Sequence, residues 1–197
     1  MPRPKSLTPG DLAAAALAVI DREGLPGLSM RTVAKELGMG TMSLYRYVSE
    51  RTELEALVVD LVLSTVDTEP PEAVWQDQVT TLVERVRDAV AAHPNVVPLT
   101  MTHRHRSPAL LRWSEAVLEV LTANGFTGGR RVVALRSLLS YLIGAMQLEH
   151  LGPLSGPGTA AMAGKKEFPL LAETATTARG VDDGFRRGLA VVLRGLG

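Results

Sequence analysis

The chain has 197 residues, 46% hydrophobic, 21% charged and 4% aromatic, and no cysteine. That length suits one domain, or a module of about 50 residues joined to a larger one, and the missing cysteine excludes a disulfide framework, a thiolate metal site and a cysteine nucleophile. Lys+Arg and Asp+Glu number 21 each, so net charge alone gives no case for nucleic acid, and such a partner must be argued from local arrangement.

In chain order, Thr8-Pro9-Gly10-Asp11 reads as a helix N-cap, a proline at the first helical position and an acid at the third. Leu12, Ala15, Ala16, Val19 and Ile20 then form one apolar face of a helix ending near Gly24. The Ala-rich run 12–20 imitates a signal-peptide core, but Asp11 precedes it and Asp21-Arg22-Glu23 follows it. Ser29 caps a second, short helix through Val33, Ala34 and Leu37, and Gly38 stops it. A third short helix is expected from about Thr41 to Tyr47, and Ser49 opens a long one carrying Leu54, Leu57, Val58, Leu61 and Val62, broken at Glu69-Pro70-Pro71.

Trp75, Val79, Leu82, Val83, Val86 and Val90 make a strong helical stripe closed by His93-Pro94. Ser107-Pro108 repeats the cap-plus-proline signature, and that helix runs to Gly125. Thr127 begins a long apolar helix carried by Val132, Leu135, Leu138, Leu139, Leu142, Ile143 and Met146. Its most apolar span, 132–148, holds Arg136 and falls short of the about 20 residues that cross a bilayer, so no membrane partner is expected. Gly152–Lys166 has four glycines, two prolines and little periodicity, and reads as a loop. Phe185, Leu189, Val192, Leu193 and Leu196 form the last stripe. No stretch alternates with a two-residue period, so the fold class is all-α, and the protein is expected to be cytoplasmic.

The first four helices have the spacing of a helix-turn-helix. Ala34 is small where two helices cross, Gly38 tolerates positive φ at the turn, and Leu44 returns to the core with Val33, Leu37 and Val48. With Leu44 turned inward, Thr41, Met42, Ser43, Tyr45, Arg46 and Tyr47 are left to face outward. Hydroxyls and a guanidinium hydrogen-bond phosphates and base edges, and Met42 suits a thymine methyl. Arg51, in the first turn of the next helix, is placed for a phosphate, and Arg31 for a guanine. The arm Pro2-Arg3-Pro4-Lys5 is stiff and basic. Residues 1–51 carry seven basic and five acidic side chains, a small excess for one DNA-binding copy that a dimer doubles.

Gly27–Met39, followed by Leu44-Tyr45-Arg46-Tyr47-Val48 and Leu54, resembles the N-terminal signature of the tetracycline-repressor (TetR) family. The resemblance implies a DNA-binding domain over residues 1–51 and a helical regulatory and dimerisation domain over 52–197. The family usually carries lysine where this chain has Arg51, which preserves phosphate binding. More faintly, His93-Pro94, 107–126, Gly144, Phe168-Pro169-Leu170-Leu171 and 185–196 resemble a tetracycline-repressor type of regulatory domain. That implies a homodimer through helices around 130–150 and 181–196, a double-stranded DNA operator and a small-molecule effector. The two apolar faces either meet a second copy or bury against each other within one chain.

Met101, His103, Trp113, Tyr141 and Gln147 are the candidate lining of an effector pocket. The resemblance places Met101 where the tetracycline repressor has a magnesium-linked histidine, and Val117 where it has a drug-contacting amide; both departures argue against tetracycline. His103 and His105 converge on an ion only in an extended segment, and Arg104 and Arg106 repel a cation, so no metal or other cofactor is expected. No nucleophile elbow or phosphate loop is present, so no catalytic residue is assigned. The reading is a ligand-released repressor. Its rivals are a small-molecule-handling helical enzyme, and a protein-binding regulator with a degenerate helix-turn-helix.

Overall fold

The computed structural model describes residues 7–151, 157–178 and 183–197, and every regular element among them is helical. Contacts divide the chain into two compact units, Met1–Thr68 with Asp88–Glu115, and Glu69–Arg87 with Ala116–Gly197.

In the first unit, α1 (Pro9–Glu23) starts at the anticipated capping box: the Asp11 amide donates to Thr8 Oγ1 at 3.1 Å, and the Thr8 amide to the Asp11 carboxylate at 2.8 Å. Helix α2 (Met30–Glu36) starts the same way, with Thr32 N donating to Ser29 Oγ at 3.1 Å and Ser29 N to Thr32 Oγ1 at 2.9 Å. Gly38 then takes φ 67°, a conformation costly for any residue with a Cβ, and Met39 N donates back to Ala34 O at 2.9 Å. Helix α3 is shorter than the sequence suggests, Thr41–Leu44, with Tyr45–Tyr47 in a turn. Val33, Ala34, Leu44 and Val48 are buried; Leu37, expected in the core, is half-buried where it ends α2.

Helix α4 (Arg51–Ser64) lies along α1, burying Leu54, Val58 and Val62 while α1 buries Leu12, Ala16, Val19 and Ile20. Its limits differ from expectation. Ser49 does not cap it; Glu50 holds that place without a side-chain bond, because Ser49 N and Oγ both donate to Glu53 at 2.8 and 3.1 Å. The helix also ends five residues before Glu69-Pro70: the Ser64 and Thr65 hydroxyls donate to the Leu61 and Val62 carbonyls, competing for the acceptors that would continue it.

Helices α5 (Trp75–Ala91) and α7 (Pro108–Ala123) each contribute residues to both units, and α6 (Val97–His103) belongs to the first. Asp60 of α4 accepts from Ser107 Oγ at 2.7 Å and Ala109 N at 3.0 Å, satisfying the start of α7. Asn95 Nδ2 donates to Ile20 O at 3.1 Å, fastening the segment before α6 to α1.

The second unit is built on α8 (Gly128–Leu151), α9 (Pro157–Ala163), α10 (Pro169–Ala178) and α11 (Gly184–Leu196). Helix α8 is a correction: at 24 residues it is long and apolar enough to cross a bilayer by length and composition, because it extends past the apolar span at both ends. Helix α9 is another, since it falls inside 152–166, read as loop; small residues carry it without an apolar stripe, and 152–156 lie outside the described residues. Ala134, Leu138, Leu142 and Met146 of α8 are buried, as are Phe185, Leu189 and Leu193 of α11. The two helices approach so closely that a Cβ on Gly188 would stand 2.3 Å from Tyr141 Oη. Trp75 meets Phe126 edge-on at 5.2 Å, and Arg186 forms a two-pronged pair with Glu84 at 2.8 Å.

Two substitutions test this packing. Ala34→Leu overfills the α2 crossing and is expected to cost about 1–3 kcal/mol, read as an earlier thermal transition by circular dichroism. Gly188→Ala pushes Tyr141 off its partner at a comparable cost of about 1–3 kcal/mol, and Tyr141→Phe in that background recovers part of the loss.

Candidate nucleic-acid interface

Leu44 sets the orientation of α3. Because this side chain is fully buried, the opposite surface faces solvent, and Met42 is 80% and Tyr45 48% exposed. Arg46 is exposed beside them, while Thr41, Ser43 and Tyr47 are half-buried. Arg31, the first residue after the α2 opening Met30, is exposed as well. Neither Arg31 nor Arg46 forms an ion pair with another described residue, so both guanidiniums keep their donors for a partner. Arg22, by contrast, is committed to Glu36 at 2.9 Å and Glu23 at 3.0 Å, and the Glu36 hydrogen bond leads in raising its pKa above the ordinary guanidinium value. The arm Pro2–Lys5 lies outside the described residues.

Arg51 is exposed at the start of α4, where the leading amides lack a side-chain cap. Its Nε donates to Glu55 Oε1 at 2.7 Å and its Nη2 to Leu25 O at 3.3 Å. The other Glu55 oxygen lies 3.0 Å from His103 Nε2. Sequence reading passed over Glu55, although an acid four residues after a helical arginine is a visible pairing signal. The eight residues expected to touch DNA thus fall on α2, on α3 with the turn after it, and on the first turn of α4.

The five candidate effector residues are divided. Met101, His103 and Trp113 belong to the first unit, where Met101 is exposed, His103 is 5% exposed against Glu55, and Trp113 is 1% exposed. Tyr141 and Gln147 lie on α8 in the second unit. Tyr141 lines a cavity of about 940 Å³ with Arg87, Leu148, Glu149, Thr174 and Phe185; Gln147 is half-buried and does not line it. Tyr141 Oη donates to Phe185 O at 2.6 Å, and burial, followed by the nearby Glu149 charge, raises its phenol above the ordinary value. Arg87 pairs with Glu149 at 3.0 Å and stacks 4.6 Å from the Phe185 ring centroid. Arg87, Glu149 and Phe185 were not foreseen as lining residues because they converge from three separate helices. Among the described residues, no group of three or more His, Asp or Glu side chains is placed to hold a metal.

Comparison with known proteins bears on both regions. The family model "Bacterial regulatory proteins, tetR family" matches residues 12–54, and "Tetracyclin repressor-like, C-terminal domain" matches 68–197. The HTH-type transcriptional repressor DrrR1 of Streptomyces coeruleorubidus is 34% identical over 73% of this chain, and the match spans about half of DrrR1, 54%. The class A tetracycline repressor from transposon 1721 of Escherichia coli is 27% identical over 96% of this chain and 90% of its own. The apo structure of ActR from Streptomyces coelicolor matches with a TM-score of 0.82 at 26% identity, covering 98% of this chain and 96% of ActR.

Proposed function

This chain belongs to the TetR family of bacterial regulatory proteins, and on that footing we propose that it is a homodimeric transcriptional repressor released from a near-palindromic operator by a small molecule. The observation that carries the reading is the outward face of α3. A buried Leu44 backs exposed Met42, Tyr45 and Arg46, a surface without an acid and with donors suited to a duplex. In this reading residues 1–51 grip DNA and 52–197 handle the effector and the second copy, and the protein acts in the cytoplasm. The chemistry is binding and release, not turnover.

Thr41, Met42, Ser43, Tyr45, Arg46 and Tyr47 meet base edges and adjacent phosphates, Arg31 a base, and Arg51 a phosphate. Two copies reach successive major grooves when their recognition elements stand about 34–36 Å apart. Dimerisation through α8 and α11 is supported by apolar side chains they leave exposed, Val132, Val133 and Leu148 on one and Val191 on the other. The relative named DrrR1 is a repressor, and ActR has been solved with actinorhodin bound, which supports an effector for this chain too. The cavity beside Tyr141 has the volume of a drug-sized ligand site. An effector acts only through its difference in affinity between the two dimer states, and a swing from 1:99 to 99:1 takes a ratio of about 10⁴.

Selection of bound duplexes from random DNA, with size-exclusion measurement of the free protein, tests the reading directly. In gel-shift titrations Arg51→Ala is expected to weaken binding to all sequences and lower the salt slope by about 1 per protomer. Arg31→Ala and Tyr45→Ala are expected to cost about 1–3 kcal/mol on the selected sites and less on random duplex. Unchanged binding by all three variants, or a protein that runs as a monomer with DNA bound, refutes it.

A further inference from the structure

Arg51 and His103 meet on one carboxylate. Glu55 accepts from Arg51 Nε at 2.7 Å through one oxygen and lies 3.0 Å from His103 Nε2 through the other. The Glu55 and His103 side chains are 13% and 6% exposed, whereas that of Arg51 is 43% exposed. An arginine–glutamate pair one turn apart on an open helix face is a loose contact, because both side chains rotate freely in water. Here the acid cannot turn away: α6 supplies a ring nitrogen to its second oxygen, and the guanidinium is tethered again at the Leu25 carbonyl.

Resting on the DNA-binding reading above, we propose that Glu55 is a positioning residue that restrains Arg51 and sets operator affinity low, and that His103 holds Glu55 in that posture. Glu55 takes the Arg51 Nε–H and draws the guanidinium toward itself, so a phosphate arriving at the start of α4 competes with the acid for it. Each protomer therefore exchanges a carboxylate partner for a phosphate partner when it binds. The cost is independent of base sequence, since phosphate contacts carry no sequence information.

The test is fluorescence-anisotropy titration of the full-length protein against a selected operator and a random duplex, across a salt series, with melting temperatures measured in parallel. Glu55→Gln keeps the shape and removes the charge. It is expected to tighten both duplexes by about threefold per protomer, roughly tenfold for the dimer. In an Arg51→Ala background the same change is expected to have no effect. His103→Leu, which frees the second oxygen, is expected to tighten binding in part, and His103→Gln, which keeps a donor, to restore wild-type affinity. Glu55→Gln at wild-type affinity or weaker, or a gain that persists without Arg51, overturns the proposal. Should Glu55→Gln melt early, His103→Leu decides: no gain in affinity overturns the proposal. A wild-type protein that selects no duplex defeats the DNA-binding reading itself, whereas normal operator binding that Arg51→Ala weakens and Glu55→Gln leaves unchanged defeats this inference alone.

Discussion

The packing of α4 along α1 is the constraint on which the recognition surface depends. Helices α2 and α3 have seven and four residues, far below the length at which an isolated helix holds together in water. They persist because Val33, Ala34, Leu44 and Val48 are buried, and that core exists only while Leu54, Val58 and Val62 of α4 meet the apolar face of α1. Full burial of a side chain such as Leu44 contributes about 1.5–3 kcal/mol, so a handful of residues decides whether α3 has a fixed orientation. The same helix carries three acids, and two of them reach segments beyond it. Asp60 satisfies the start of α7 and Glu55 reaches His103, so α4 is held by apolar contact with α1 and by hydrogen bonds to the segments that follow α5.

Charge acts locally in this protein. The whole chain is neutral, yet its arginines near the interface have different fates. Arg22 is consumed by Glu36 and Glu23, and Arg51 is held by Glu55, while Arg31 and Arg46 remain available. A count of basic residues over 1–51 therefore overstates what a duplex meets at first contact. What matters is which cations have an acid within reach on the same or the next helix, because that acid competes with a phosphate for the guanidinium donors.

Local signals were legible wherever the physics is local. The box at Thr8, the cap at Ser29 and the glycine at 38 need only neighbouring residues, and each stands where its spacing placed it. The inward turn of Leu44 follows from periodicity and delivers the exposed face without further information. Ser49 was misleading because its hydroxyl and its amide both find Glu53, one residue outside the N-cap position that Glu50 takes. Helix α9 hid behind glycines because a short helix of small residues has no stripe to read. The contacts of Glu55 with His103 and of Arg87 with Glu149 were beyond reach for a different reason: the partners lie 48 and 62 residues apart, and only the folded chain joins them.

Helix α8 shows how such long-range contacts settle an ambiguity of composition. A helix apolar around most of its circumference suits a bilayer or a position buried on two sides, and hydropathy does not separate them. Its polar residues do. Arg136 sits within the helix, Arg130 near its start stacks 4.3 Å from the Phe126 ring centroid and donates to Leu196 O at 3.0 Å, and Glu149 near its end pairs with Arg87. The end contacts tie the helix to its own chain, and Arg136, exposed inside the apolar span, would be a costly charge in hydrocarbon. One stripe, Ala134, Leu138, Leu142 and Met146, is already buried, and Val132, Val133 and Leu148 are the large apolar side chains of the helix still in water. An apolar remainder of that kind, on a helix already fixed by its charged ends, calls for a second protein surface and not for lipid.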